Sequence, residues 1–264
     1  MPDYPHLRIE TTPDGVRTIT LDRADKLNAV NGALAAAFTA AMASAAGDDA
    51  VRVVVITGAG RAFCAGLDLS APPELPSATR AERLDPYAWV GDWVRGVVAC
   101  EKPVIAAVNG PAAGAGFGLA LACDIRLVAQ SAKLTAGYVR RGLSPDAGVS
   151  YFLPRHVGVA RAADILMTGR DVDAAEAERI GLANKVVPRA ELDKTLGEWS
   201  ERLAKAPTRA IGFTKWLTNR SLETDRAGSF WDEAYAQELV SSTEDASEGM
   251  ASFVERRPPE FKGW

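Results

Sequence analysis

The chain has 264 residues, 30 basic and 34 acidic, for a formal charge of −4 with only two histidines. That length makes one large domain, or a domain with a small appendage, able to bury roughly 70–75% of its unfolded surface. No long run of either charge appears, which argues against a dedicated nucleic-acid surface, and the three apolar-flanked cysteines, Cys64, Cys100 and Cys123, read as reduced packing thiols of a cytoplasmic protein.

The start, MPDYPHLRIETT, lacks a basic region followed by an apolar run and is not read as a signal peptide. Two alternating runs around Pro13-Asp14-Gly15 predict a β-hairpin. After RADKLNAV, the spacing of Val30, Leu34, Phe38, Met42 and Ala45 predicts a helix with one apolar face. Val51 to Thr57 is rich in β-branched residues and predicts a strand, ended by GAGRAFCAGLDL. Leu75 to Ala88 is Pro- and charge-rich and reads as a loop or mobile helix; Trp89, Trp93 and Val97 then mark a helix running to Cys100. A strand over Val104 to Val108, a helix centred on Leu119 to Ala122 and a strand over Ile125 to Val128 follow. From Val159 onward the pattern is helical, broken by the short apolar Asn184 to Val187. Strands alternating with helices imply crossovers and a mainly parallel sheet with helices on its faces. Pro103 to Cys123 is uncharged and long enough to span a bilayer, but Asn109-Gly110-Pro111 would interrupt such a helix, so strand, turn and buried helix fit better and no membrane partner is expected.

Two glycine-rich turns thus follow two strands. Glycine there lets the backbone approach a ligand closely, and a helix opening at the turn offers unpaired N–H groups to an anion or oxyanion. One such segment alone would read as close helix packing; two together point to a binding site. The acidic residue of a dinucleotide site, the Lys-Ser/Thr of a P-loop and the G-x-S-x-G of an acyl-transfer serine are all missing.

RADKLNAV, VVVITGAGRAFCAGLDL, KPVIAAVNGPAAGAGFGLALACDIRLVAQSAKL, GLSPDAGVSYFLPRHVG and ASFVERR together resemble the enoyl-CoA hydratase/isomerase (crotonase) superfamily, from about the hairpin to Arg257. The resemblance implies an α/β fold, a spiral of ββα units over residues 1–200, with a helical trimerisation region at 201–264. It implies a homotrimer or dimer of trimers, and an acyl-CoA thioester as substrate, coenzyme A arriving as part of it rather than as a permanent cofactor; no metal is expected. It places the two backbone N–H groups of an oxyanion hole at Leu67 and Ala115, beside Gly114.

The same resemblance exposes a departure. Family hydratases carry two glutamates, and the matching positions here are Gly118 and Tyr138, so a two-carboxylate hydration is not available. Asp146 in GLSPDAG matches the aspartate that serves as base in isomerase branches, including dienoyl-CoA and epoxyphenylacetyl-CoA isomerases. By itself, Asp146 before AGVSYFL also fits a helix N-cap; the matched motif puts the base reading ahead. Tyr138 is either a hydrogen-bond donor in the site or part of its wall, and His156 reads as a capping or packing residue. The resemblance assigns Arg23, Lys26, Leu27 and Ala29 to the CoA entrance, Ala65, Asp68 and Leu69 to backbone contacts with the adenine, and Phe253 and Arg256 to a CoA site reached from a neighbouring subunit. The expectation is an isomerase acting through an enolate. A hydratase, lyase or hydrolase using Asp146 differently, a non-catalytic acyl-CoA-binding subunit, and an RNA-binding relative are the alternatives; overall acidity argues against the last.

Overall fold

The computed structural model describes residues 4–70 and 90–264; the expected loop at Leu75 to Ala88, and Trp89, lie outside them. The hairpin is present: β1 (Leu7–Thr11) pairs antiparallel with β2 (Val16–Leu21), around Gly15 in the left-handed region at φ 82°. The chain continues through α1 (Gly32–Ala46), β3 (Val53–Gly58), α2 (Val90–Ala99), β4 (Val104–Val108), β5 (Ala112–Ala113), α3 (Ala115–Ala122), β6 (Ile125–Ala129) and β7 (Lys133–Thr135). Then come α4 (Val149–Val157), α5 (Val159–Thr168), β8 (Asp171–Asp173), α6 (Ala174–Arg179) and β9 (Lys185–Val187). Four helices close the chain: α7 (Leu192–Ala204), α8 (Thr208–Arg220), α9 (Arg226–Ser241) and α10 (Glu244–Glu255).

Strands β1-β2-β3-β4-β6-β9 form one sheet, parallel beyond the first pair; β5-β7-β8 form a second, smaller one. Both faces of the sheet are covered, so β4 is buried throughout and β3 at every position but Thr57. Val54, Ile56, Val104 and Ala106 face a core completed by Phe38, Met42, Trp93 and Phe117, while Val53, Val55, Ile105 and Ala107 face α7 through Leu192, Trp199 and Leu203. A sheet covered on both sides needs apolar residues at odd and even positions alike.

Some expectations are corrected. Val30 is not helical: α1 starts after Asn31, whose side chain caps the Leu34 N–H, and Val30 instead bridges to Leu67, its N–H donating to the Gly66 carbonyl. The expected helical C-terminal stretch holds an additional three-residue strand, β8, paired with β7. Among the described residues no helix is long and apolar enough to cross a membrane, and all three cysteines are free and buried.

Candidate active site

Because β3 and β4 are adjacent and parallel, both glycine turns leave the same edge of the sheet, where open α/β sheets place their ligands. Each turn is packed so closely that side chains are excluded. A methyl group on Gly58 would lie 2.2 Å from the Ala62 carbonyl oxygen, and one on Gly110 would lie 2.1 Å from that of Arg61. Two buried amides hold the first turn together. The Asn28 Nδ2 donates to the carbonyls of Ala59 and Ala62, and Asn109 accepts from the Gly58 N–H while donating to the Gly58 and Gly60 carbonyls. Their signal in the sequence is a polar residue inside an apolar run, which here marks a backbone clamp.

Gly66 (φ 89°) and Gly114 (φ 51°) bring the two turns together. A methyl group on Gly66 would lie 2.7 Å from the Ala113 carbonyl oxygen and 3.5 Å from the Ala115 nitrogen. The Ala115 N–H opens α3, and the Leu67 N–H directly follows Gly66; neither donates to an acceptor among the described residues. Two neighbouring donors of this kind, one at the positive end of a helix, suit an oxygen that gains negative charge. The indole Nε1 of Trp93, whose ring packs tilted against Phe38 with centroids 4.6 Å apart, donates to the Ala115 carbonyl at 3.1 Å and ties α2 to the first turn of α3.

Beside Gly114 stands Tyr138. A methyl on Gly114 would lie 3.9 Å from the Tyr138 hydroxyl, and that hydroxyl donates to the Asp146 Oδ1 at 2.7 Å. The Asp146 side chain therefore does not cap α4, whose N-cap is Gly148 without a side-chain bond; only the Asp146 carbonyl accepts, from Val149. Asp146 as a residue is exposed, yet the packing around its carboxyl raises its pKa by desolvation, which outweighs the opposing pull of the Tyr138 O–H. Burial, reinforced by the Asp146 charge, also raises the Tyr138 phenol, so it stays protonated and a donor. The space beside Gly118 is filled by the carbonyl oxygen and methyl of Ala147. Tyr138, Asp146 and the glycine turns thus come together.

The expected CoA contacts are placed less uniformly. Arg23 turns inward, pairing with Asp68 at 2.9 Å and donating to the Ala29 carbonyl at 2.6 Å. Asp68 also accepts from the Ser70 hydroxyl, and Ser70 first and Arg23 second hold its carboxyl down to about 2. The two side chains are each other's partner, because two charges at a buried loop junction need pairing, while the role expected of Asp68 is a backbone contact. The Ala65 N–H is likewise engaged, donating to the Leu27 carbonyl. Lys26 and Leu69 are exposed, and Phe253 and Arg256 stand exposed near the end of α10. His156 packs, its Nε2 3.1 Å from the Leu121 carbonyl oxygen, and burial and then the Arg126 charge lower it to about 4. Among the described residues no group of three His, Cys, Asp or Glu could hold a metal.

The family described as "Enoyl-CoA hydratase/isomerase" matches residues 11–264. A "Probable enoyl-CoA hydratase" of Rhodobacter capsulatus is 37% identical, covering 98% of this chain and 99% of its own. The 1,2-epoxyphenylacetyl-CoA isomerase of Escherichia coli (strain K12) is 36% identical, covering 94% of this chain and 95% of its own. The crystal structure of an enoyl-CoA hydratase from Bacillus anthracis superposes with a TM-score of 0.89 at 33% identity, covering 98% of this chain and 100% of the other. With a sheet edge of paired glycine turns and similarity running over almost the whole length, the chain belongs to the enoyl-CoA hydratase/isomerase family and has its crotonase fold.

Proposed function

We propose that this protein isomerises an acyl-CoA thioester, moving a double bond or rearranging a ring through an enolate, with Asp146 as the base. The observation that carries the reading is the pairing of two N–H donors, Leu67 and Ala115, with one carboxylate held by Tyr138 beside Gly114. Removing a proton α or γ to a thioester carbonyl puts negative charge on its oxygen, and one preorganised donor lowers that barrier by roughly 3–4 kcal/mol. A carboxyl lifted by desolvation is a stronger base than a solvated aspartate. It takes the proton from one carbon and returns it to another of the same allylic system. Water addition needs a second group to hold the water, and the two positions matching the hydratase glutamates are Gly118 and Tyr138.

In this reading Lys26 and Leu69 border the CoA path, and Phe253 and Arg256 reach a neighbouring subunit's CoA. The surrounding C-terminal helices would be the trimer surface; exposed Phe230, Trp231 and Tyr235 on α9 support that assignment. Coenzyme A enters with the substrate, and the buried free thiols support a cytoplasmic setting. A second reading, hydration, is favoured by the names of the relatives, most of which are hydratases.

Proton NMR with a β,γ-unsaturated acyl-CoA in D2O tests the proposal. Migration of the double bond with deuterium uptake, lost in Asp146→Asn, is the expected result. Water addition to an α,β-unsaturated thioester without migration would favour the second reading, and binding without exchange across aromatic and epoxide-derived thioesters would leave a binding protein.

A further inference from the structure

Asp146 sits at the end of an exposed stretch: residues 141–144 and Asp146 are exposed and only Pro145 is half-buried. A carboxylate on such a loop would ordinarily sample several rotamers. Two contacts restrict it. The first is the Tyr138 hydroxyl on Oδ1, delivered from a residue only 7% exposed. The second lies behind it. Ala147 is buried and held at φ 50°, and a methyl on Gly118 would meet its carbonyl oxygen at 2.3 Å and its Cβ at 2.8 Å. A non-glycine residue in the left-handed region persists where its surroundings dictate it. Here the surroundings are the bare glycine face of α3, the same helix that carries the Ala115 N–H.

We infer that Tyr138 and Gly118 are positioning residues, which tie Oδ1 and seat the Ala147 peptide on α3, so that Oδ2 meets the substrate proton at a fixed place relative to the oxyanion donors. This deepens the base reading and rests on it for its catalytic consequence. The C–H bond breaks, its electron pair enters the enolate, and the proton moves to Oδ2; the same O–H later delivers it to another carbon. The Tyr138 proton stays on its own oxygen throughout. The Gly118 position is therefore not merely an acid lost by substitution, because the backbone of the Asp146 loop has taken the space.

The titratable groups that bear on the pair are Tyr138 itself and the Cys64 thiol, whose charge would act on Tyr138; α3 contributes none. The experiment labels the aspartate carboxyl carbons with 13C, assigns Asp146 by Asp146→Asn, and follows its titration by NMR in the full-length wild type and Tyr138→Phe. Removing a donor to the carboxylate is expected to move the Asp146 midpoint to higher pH. The variant should also lose isomerisation kcat on the order of 10- to 100-fold with KM little changed. Gly118→Ala should lower kcat likewise while thermal unfolding stays cooperative. An unchanged midpoint and kcat in Tyr138→Phe would overturn the inference. The titration needs no turnover, so the two ideas fail separately. A shifted midpoint in a protein that moves no double bond upholds the positioning and sinks the base reading. A wild type that isomerises, is silenced by Asp146→Asn and is matched in rate and midpoint by Tyr138→Phe does the reverse.

Discussion

The two sides of the site are built from different material. On one side, Gly66, Leu67, Gly114 and Ala115 contribute backbone, set beyond the ends of two buried strands, with the first turn clamped by Asn28 and Asn109. On the other, Tyr138 and Asp146 contribute side chains, from the two ends of a segment whose residues 139–144 are exposed. The first side needs rigidity, because donors aimed at a developing charge act without reorganising. The second needs one correct functional group at one place. A backbone donor survives most substitutions of its own side chain and is vulnerable through its glycine neighbours; a base is vulnerable at one residue.

Replacing that residue gives the largest expected effect. Asp146→Asn keeps size and shape, so thioester binding should persist while kcat falls on the order of 10²- to 10⁴-fold. Isothermal titration with a non-reactive acyl-CoA, beside steady-state rates, checks both halves; equal losses in binding and rate would assign Asp146 to binding. Gly66→Ala attacks the backbone side instead. A methyl group 2.7 Å from the Ala113 carbonyl oxygen, at φ 89°, must displace the Leu67 N–H. We expect a loss on the order of 10²- to 10³-fold in kcat, the size of one oxyanion donor, although no titratable group changes. A pH profile separates the two sides, since Gly66→Ala should lower the rate without moving its limbs.

The backbone side was the more legible in the sequence. Val104 to Val108 is a strand as expected, the hairpin turns at Gly15, and the glycine clusters after both strands declare that side chains are unwelcome. The resemblance located Leu67 and Ala115, and the structure leaves both N–H groups without a partner among the described residues. What stayed hidden depends on contacts distant in sequence. Arg23 reads as a free cation until Asp68, 45 positions on, is folded against it. Val30 fits the helical period of α1, but its N–H is taken by Gly66, and that tertiary bond outweighs a weak local preference. The three residues of β8 are too few for any period to show. Gly118 reads as an absent acid, and only packing reveals that Ala147 fills the place. Residue type also left Asp146 ambiguous between cap and base, because either use needs the same carboxylate; the structure sets the cap aside, since the carboxylate accepts from Tyr138 and α4 has no side-chain cap.

Smaller effects probe how α3 is held at its two ends. At its C-terminal end, His156 meets the Leu121 carbonyl with a folded-state pKa lowered to about 4 from an ordinary 6.5. The unfolded chain therefore binds the proton first, and the stability that neutral His156 confers is complete above pH ~6.5 and declines as pH falls toward ~4. Between pH 7 and pH 5 this single group should cost at most about 2 kcal/mol. Urea unfolding at the two pH values, with His156→Gln as the non-titrating control, measures it; equal pH dependence in both proteins would place the loss elsewhere.

At the opposite end the Trp93 indole donates to the Ala115 carbonyl. Trp93→Phe keeps an aromatic ring against Phe38 but removes the N–H donor and part of a fully buried side chain, so the expected destabilisation is about 2–3 kcal/mol, one neutral hydrogen bond plus the cavity left behind. The catalytic effect should be smaller than that of Gly66→Ala, because the Ala115 N–H belongs to the preceding peptide plane and Gly114 still sets its direction. If kcat nevertheless falls as far as in Gly66→Ala while stability changes by no more than about 2–3 kcal/mol, the rigidity of the donor pair would come from the indole rather than from the glycine turns. Thermal unfolding and kcat measured on the same preparation decide between the two.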